Sequence, residues 1–194
     1  MGFKLIVITP EENHLKEVPL IILLFESGLQ LLHVRKPKAT ESELRGYLEQ
    51  IPKKFHKKIV IHSHYKLVKE FGLKGIHLTE KVRKTGRTNS ALKIISTSFH
   101  TTADILKNRR KYEYVFLSPV FDSISKKSYK SSFDLEKLKS FLRKRKNVIA
   151  LGGISAKNIE TVKKVGFSGL AVIGTVWQSK NPVKSYKELA LKIK

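Results

Sequence analysis

Cysteine is absent from the 194 residues. That removes disulfide frameworks and thiolate metal sites, without fixing a compartment. Long apolar runs are missing too. The run from Val18 to Phe25 has eight residues, against roughly 18 for a membrane span. The start, MGFKLIVITPEEN, has too short an apolar run and too early an acidic pair for a signal peptide. These absences predict a soluble, cytoplasmic protein with no membrane partner. Acidic residues are scarce: 16 Asp and Glu face 39 Lys and Arg, a formal charge of +23. Such an excess admits an anionic partner, either nucleic acid or a phosphorylated metabolite. Lys outnumbers Arg by 31 to 8 and is spread along the chain, whereas base-reading sites favour Arg. Most of the charge therefore reads as a solvated Lys-rich surface, and nucleic acid is not favoured. A Gly-rich turn is also lacking after the first apolar segment, which runs into Thr9-Pro10-Glu11-Glu12. This excludes the dinucleotide fingerprint of the open doubly wound sheet.

What is present is an alternation of short apolar runs with helical patterns. Eight runs, at 3–9, 30–35, 58–62, 75–78, 93–98, 114–118, 147–151 and 169–174, are rich in Val, Ile and Leu with little alternation. That is expected of parallel strands buried on both faces. Between them, Leu15 to Ser27 has helical spacing and meets Gly28 as a helix stop. Thr40 opens a capping box with Glu43, and Asp134 to Arg145 is amphipathic. Ser155 caps a helix ending at Gly166, and Tyr186 to Lys194 closes the chain. The stretch from Glu80 to Ser90 has little helical pattern and is expected to be a loop. Eight strand–helix repeats predict one α/β domain over residues 1–194, a compact (β/α)8 TIM barrel with the helix after strand 4 degraded.

In such a barrel the chemistry lies where the strands end. Those ends hold Thr9, His33, Arg35, His62, His64, His77, Ser98, His100 and Ser118, then Gly152-Gly153 and Gly174-Thr175. Residues two apart on a strand share a face, which pairs His33 with Arg35 and, if its strand extends, His62 with His64. Five histidines on one rim predict a polar site. No carboxylate stands beside them to orient the rings, so no metal is assigned to them. Paired glycines followed by a helix, and a Gly-Thr turn after the last strand, offer backbone amides to phosphate. The segment SPVFDSISKKSYKSSF after strand 6 is hydroxyl-rich and cationic; it reads as a lid carrying Lys126 or Lys127.

Six ordered segments resemble the thiamine phosphate synthase family and its relative, the thiazole tautomerase. Ser118-Pro119-Val120-Phe121 through Ser125-Lys126 is similar to the family's Gly-Pro-aliphatic-Phe segment, which ends in a hydroxyl and a Lys. Ala150 to Ile154 with Asn158 resembles its phosphate turn, and Leu170 to Thr175 its last strand. Ser98 and His100 match its Ser-x-His, and Gly75 to Leu78 its Gly-Val-His-Leu; its Gln-x-Arg-x-Lys reads His33-Val34-Arg35-Lys36-Pro37 here, with the Gln lost and the Lys displaced. The resemblance implies a transferase that joins a pyrimidine methyl diphosphate to a thiazole phosphate, releasing diphosphate and forming thiamine phosphate. It places Arg35 and Lys126 on diphosphate and Ser98 near the pyrimidine; with these, His100 is taken as catalytic, the candidate base at its strand end. Substrate or phosphate contacts fall to His33, Lys36, His62, His64, His77, Ser125, Gly152, Gly153, Gly174 and Thr175.

The family also implies Mg2+ held by aspartates, and here the pattern departs. Its Asn-Asp after strand 3 reads His62-Ser63-His64, and its second Asp has no match, Glu80 being merely nearby. Imidazoles suit Mg2+ poorly, so weak Mg2+ binding is expected, with Arg35, Lys36, Lys126 and protonated histidines supplying charge in its place. The alternatives are a metal-independent thiazole tautomerase and a non-catalytic binder of thiazole phosphate or thiamine phosphate. A homo-oligomer is left open.

Overall fold

In the computed structural model, residues 2–12, 16–86, 93–122 and 133–193 are described. Eight parallel strands close into a barrel in chain order: β1 (Lys4–Ile8), β2 (Leu32–Val34), β3 (Ile59–Ile61), β4 (Gly75–Leu78), β5 (Ile94–Phe99), β6 (Tyr114–Leu117), β7 (Val148–Leu151) and β8 (Gly169–Val172). Closure is set by Val7, which pairs with Leu32 on one side and with Val172 on the other. Every predicted apolar run is a strand.

Side chains alternate between two cores. Leu5, Val7, Leu32, Ile59, Ile61, Val115, Val148 and Leu170 face outward into the larger cluster beneath the helices. Ile6, Ile8, Val60, Phe116, Ile149 and Ala171 face inward and fill the barrel. Each such fully buried aliphatic stabilises the fold by about 1.5–3 kcal/mol.

The helices are α1 (Glu17–Glu26), α2 (Glu41–Glu49), α3 (Leu67–Phe71), α4 (Glu80–Thr85), α5 (Thr102–Lys107), α6 (Leu135–Leu142), α7 (Ile159–Val165), α8 (Gly174–Trp177) and α9 (Pro182–Ile193), with a 3-10 turn at Lys53–Lys58. Gly28 follows α1 at φ 100°, and Thr40 and Glu43 form the expected capping box. Two expectations are corrected. The stretch after β4 is not a loop throughout. Thr79 caps α4, Glu80 pairs with Lys84 at 2.7 Å, and Gly86 closes the turn at φ 66°. Nor does Ser155 cap α7, whose N-terminal residue is Asn158. Asn158 instead braces the turn before the helix, accepting from the Ser155 amide and donating to the Gly153 carbonyl, each at 2.9 Å. Among the described residues no helix is long and apolar enough to cross a membrane.

Candidate active site

A cavity of about 450 Å³ opens at the C-terminal ends of the strands. Arg35, His62, His77, Ser98 and His100 line one side of it, and the turns at Gly152-Gly153 and Gly174-Thr175 line the other. The predicted site residues of six strands are thus brought round one mouth. A second cavity, about 410 Å³, lies at the N-terminal ends of β6 and β7 between Arg109, Arg110 and Arg145. It meets none of the strand ends that carry reactive groups.

The histidines are deeper than a rim. His33 is wholly inside the barrel at 0% exposure, and His62 and His77 lie just above it at 8% and 3%. The His62 and His77 rings stack with centroids 4.1 Å apart. His33 Nδ1 meets His62 Nε2 at 2.9 Å, and His33 Nε2 meets the Tyr114 hydroxyl at 2.6 Å. His77 Nδ1 meets Ser96 Oγ at 2.8 Å, and its Nε2 meets Ser98 Oγ at 3.2 Å. Burial holds His33 and His62 well below the usual imidazole range and pushes His77 down to about 3, with Arg35 adding repulsion at His62 and His77. The expectation of protonated histidines replacing a metal is therefore corrected: these three rings are neutral at pH 7. His64 is corrected as well. Its backbone turns at φ 50°, and its ring meets the Ala39 carbonyl at 2.7 Å, away from the cavity.

Arg35 and Lys36 diverge because neighbours on an extended chain face opposite ways. Arg35 reaches the mouth, where Glu11 pairs with it at 2.6 Å. Its backbone amide is held by the Thr9 hydroxyl at 2.9 Å. Lys36 does not reach the cavity. It is buried, ion-paired to Glu17 at 2.8 Å and bonded to the Pro10 and Glu12 carbonyls. Tyr47 donates to the same Glu17. The assignment of Lys36 to phosphate is replaced by a structural one: Lys36 ties the β1 loop to α1. Ser125, Lys126 and Lys127 lie outside the described residues.

On the far side, Thr175 Oγ1 donates to the Ile154 carbonyl and clamps the two turns together. The amides of Gly153, Ile154, Gly174 and Thr175 donate to no acceptor among the described residues. The glycines have a cause besides ligand approach. The start of the β6–α6 connection lies on them, with Val120 and Phe121 amides donating to the Leu151 and Gly152 carbonyls. A Cβ on Gly152 would sit 2.8 Å from Pro119 Cα, and one on Gly153 2.7 Å from the Phe121 carbonyl carbon.

The donor set does not fit Mg2+, which requires oxygen ligands. The two carboxylates lining the mouth, Glu11 and Glu80, are each ion-paired, to Arg35 and Lys84. His33, His62 and His77 bring three ring nitrogens within 4.8 Å of one another. Even so, the planes of His62 and His77 lie 17° from parallel. An ion about 2.0–2.1 Å from each nitrogen could not sit in both planes.

Sequence reasoning passed over Tyr114, Ser96 and Glu11. The first two carry a signal in retrospect, since Tyr114 stands two before Phe116 and Ser96 two before Ser98, on the inward face. Glu11 carries none.

The sequence model described as thiamine monophosphate synthase matches residues 5–176. The chain belongs to that family. Curated members similar to it include the thiamine-phosphate synthase of Latilactobacillus sakei, 28% identical over 149 residues, covering 74% of this chain and 66% of that protein. The thiamine-phosphate synthase of Bacteroides fragilis is 25% identical over 177 residues, covering 84% and 87%. Among solved structures, thiamine phosphate pyrophosphorylase from Bacteroides thetaiotaomicron superposes with a TM-score of 0.84 at 31% identity, covering 98% of this chain and 97% of that one. The pyrophosphorylase of Pyrococcus furiosus, 22% identical with a TM-score of 0.77 and covering 98% and 95%, shares the barrel fold.

Proposed function

We propose that this thiamine monophosphate synthase family member joins a pyrimidine methyl diphosphate to a thiazole phosphate. The carbon–oxygen bond to diphosphate breaks and its electron pair leaves with diphosphate. The thiazole nitrogen lone pair then forms the new carbon–nitrogen bond, giving thiamine phosphate. The observation that carries this reading is the pair of amide-lined turns at Gly153 and Gly174-Thr175, which share one cavity with Arg35. Free amides at a helix start suit a phosphate, and a guanidinium suits a second anionic group. Thiazole phosphate takes the turns. Diphosphate takes Arg35, displacing Glu11, with Lys126 and Ser125 keeping the roles that the family resemblance implies. The pyrimidine ring lies over His62, His77 and Ser98, and His100, whose Nδ1 meets the Ser118 carbonyl at 2.8 Å, borders the leaving group. No step is routed through Mg2+.

The tautomerase and the non-catalytic binder are not favoured, since the matching family and the relatives named above are synthases or pyrophosphorylases. The same reading takes residues 1–194 as one domain acting in the cytoplasm on small phosphorylated heterocycles, not on nucleic acid. Purified protein given both substrates, with and without Mg2+, is expected to form thiamine phosphate, read by chromatography. Absence of product under both conditions removes the synthase reading.

A further inference from the structure

Two separate hydrogen-bonded branches run through the barrel floor, each from a buried hydroxyl to the cavity. In the first, the Tyr114 hydroxyl meets Nε2 of His33 at 2.6 Å, and Nδ1 of His33 meets Nε2 of His62 at 2.9 Å. In the second, Ser96 Oγ meets Nδ1 of His77 at 2.8 Å, and Nε2 of His77 meets Ser98 Oγ at 3.2 Å. His62 and Ser98 line the cavity, whereas Tyr114, Ser96 and His33 do not. Tyr114 and Ser96 are partners in the β5–β6 register, but no hydrogen bond joins their side chains.

The buried hydroxyls set the direction of every bond. Tyr114 and Ser96 are 1% and 0% exposed, and each makes a single side-chain hydrogen bond, to a histidine nitrogen. A hydroxyl that accepted there would bury its own hydrogen without an acceptor, at the full desolvation cost of a donor. A hydroxyl that donates leaves only lone pairs unmet, so both donate. Burial keeps the three imidazoles neutral, and a neutral ring carries one hydrogen. Tyr114 O–H fills Nε2 of His33, whose hydrogen is then on Nδ1 and goes to Nε2 of His62. His62 therefore holds its hydrogen on Nδ1. Ser96 O–H fills Nδ1 of His77, whose Nε2–H goes to Ser98 and leaves the Ser98 hydrogen free to turn outward. Nδ1 of His62 has no hydrogen-bond partner among the described residues, where Nε of Arg83 is the one buried side-chain atom left unpartnered. It is thus open to the cavity.

We propose that the floor selects its ligand with two neutral donors, Nδ1–H of His62 and O–H of Ser98, which favour a heteroaromatic ring turning lone-pair nitrogens towards them over one turning a ring N–H. Tyr114 and Ser96 are positioning residues that fix these donors from beneath without touching the ligand. The proposal rests on the synthase reading for the identity of the ring, the pyrimidine. A ring N–H would face a donor at His62. That donor becomes an acceptor only if His33 also changes tautomer and the Tyr114 hydrogen is stranded, which is how the site rejects the wrong ring.

Histidine 15N spectra of the unliganded protein at neutral pH test the assignment without turnover. Wild type is expected to show His33 and His62 protonated on Nδ1 and His77 on Nε2. Tyr114→Phe is expected to give mixed tautomers at His33 and His62 and to leave His77 unchanged. Ser96→Ala is expected to do the reverse, so each variant carries a control for folding in the branch it spares. Nε2–H at His62 or Nδ1–H at His77 in wild type overturns the proposal, and so do variant spectra in which all three rings stay as in wild type.

Calorimetric titration reads the selectivity. Wild type is expected to bind pyrimidine methyl diphosphate about 10-fold or more tighter than its pyrimidinone counterpart, which puts an N–H in place of one ring lone pair. Tyr114→Phe, which frees His62 to turn acceptor, is expected to narrow that ratio, with the Kd for thiazole phosphate unchanged. Equal binding of the two rings by wild type, or an unchanged ratio in Tyr114→Phe, overturns the proposal. If wild type makes no thiamine phosphate while tautomers and selectivity are as expected, the synthase reading falls and the two-donor floor stands.

Discussion

At the scale of single residues, burial decides which charges this site keeps. A histidine neutral in the fold but free to protonate when unfolded makes stability fall with acid. Between the ordinary imidazole value and the folded value, about 3 for His77, the unfolded chain binds the extra proton, so stability rises with pH there and is lost as pH drops. Urea unfolding is expected to show lower stability at pH 5 than at pH 6, with a smaller difference in His77→Gln. Equal stability at both pH values would contradict the buried neutral triad. The Lys36–Glu17 pair gives a second prediction. Glu17→Leu strands a buried ammonium, and breaking such a pair costs about 3–5 kcal/mol. Lys36→Met added to it is expected to restore most of the loss in the same assay. Residue parity was legible in the sequence: His33 and Arg35 point one way and Lys36 the other. The left-handed turn at His64 was not, since a non-glycine residue gives no warning of positive φ.

At the scale of elements, the strands announced themselves because both their faces are buried, which leaves near-continuous Val, Ile and Leu. The short helices did not. α4 has six residues and no buried side chain, so its existence depends on a Thr cap, one ion pair and a closing glycine. The turn after β7 was recognised as glycine-rich, but the reason was only half visible. The β6–α6 connection that presses on it is 32 residues away in sequence for Phe121 and Gly153. Gly153→Ala must hold φ 65° and displace the Phe121 backbone. It is expected to lower stability by about 2 kcal/mol, about 4–8 °C in Tm by calorimetry, and to raise KM for thiazole phosphate more than for the diphosphate. An unchanged KM for thiazole phosphate would detach this turn from the phosphate.

At the scale of the whole molecule, a charge of +23 on 194 residues repels itself. Added salt screens that repulsion, with a Debye length near 10 Å at 0.1 M. Thermal unfolding is expected to move up by several degrees between about 20 and 300 mM NaCl; a downward shift would mean that attractive surface pairs outweigh the excess. Within this positive field, the cavity at the strand ends is the place where oriented amides and Arg35 meet. A crystal structure with thiamine phosphate soaked in tests that most directly. The phosphate is predicted on the amides of Gly153 and Thr175, with the pyrimidine ring against His62 and Ser98. Phosphate density in the Arg109–Arg145 cleft instead, with the strand-end cavity empty, would contradict it.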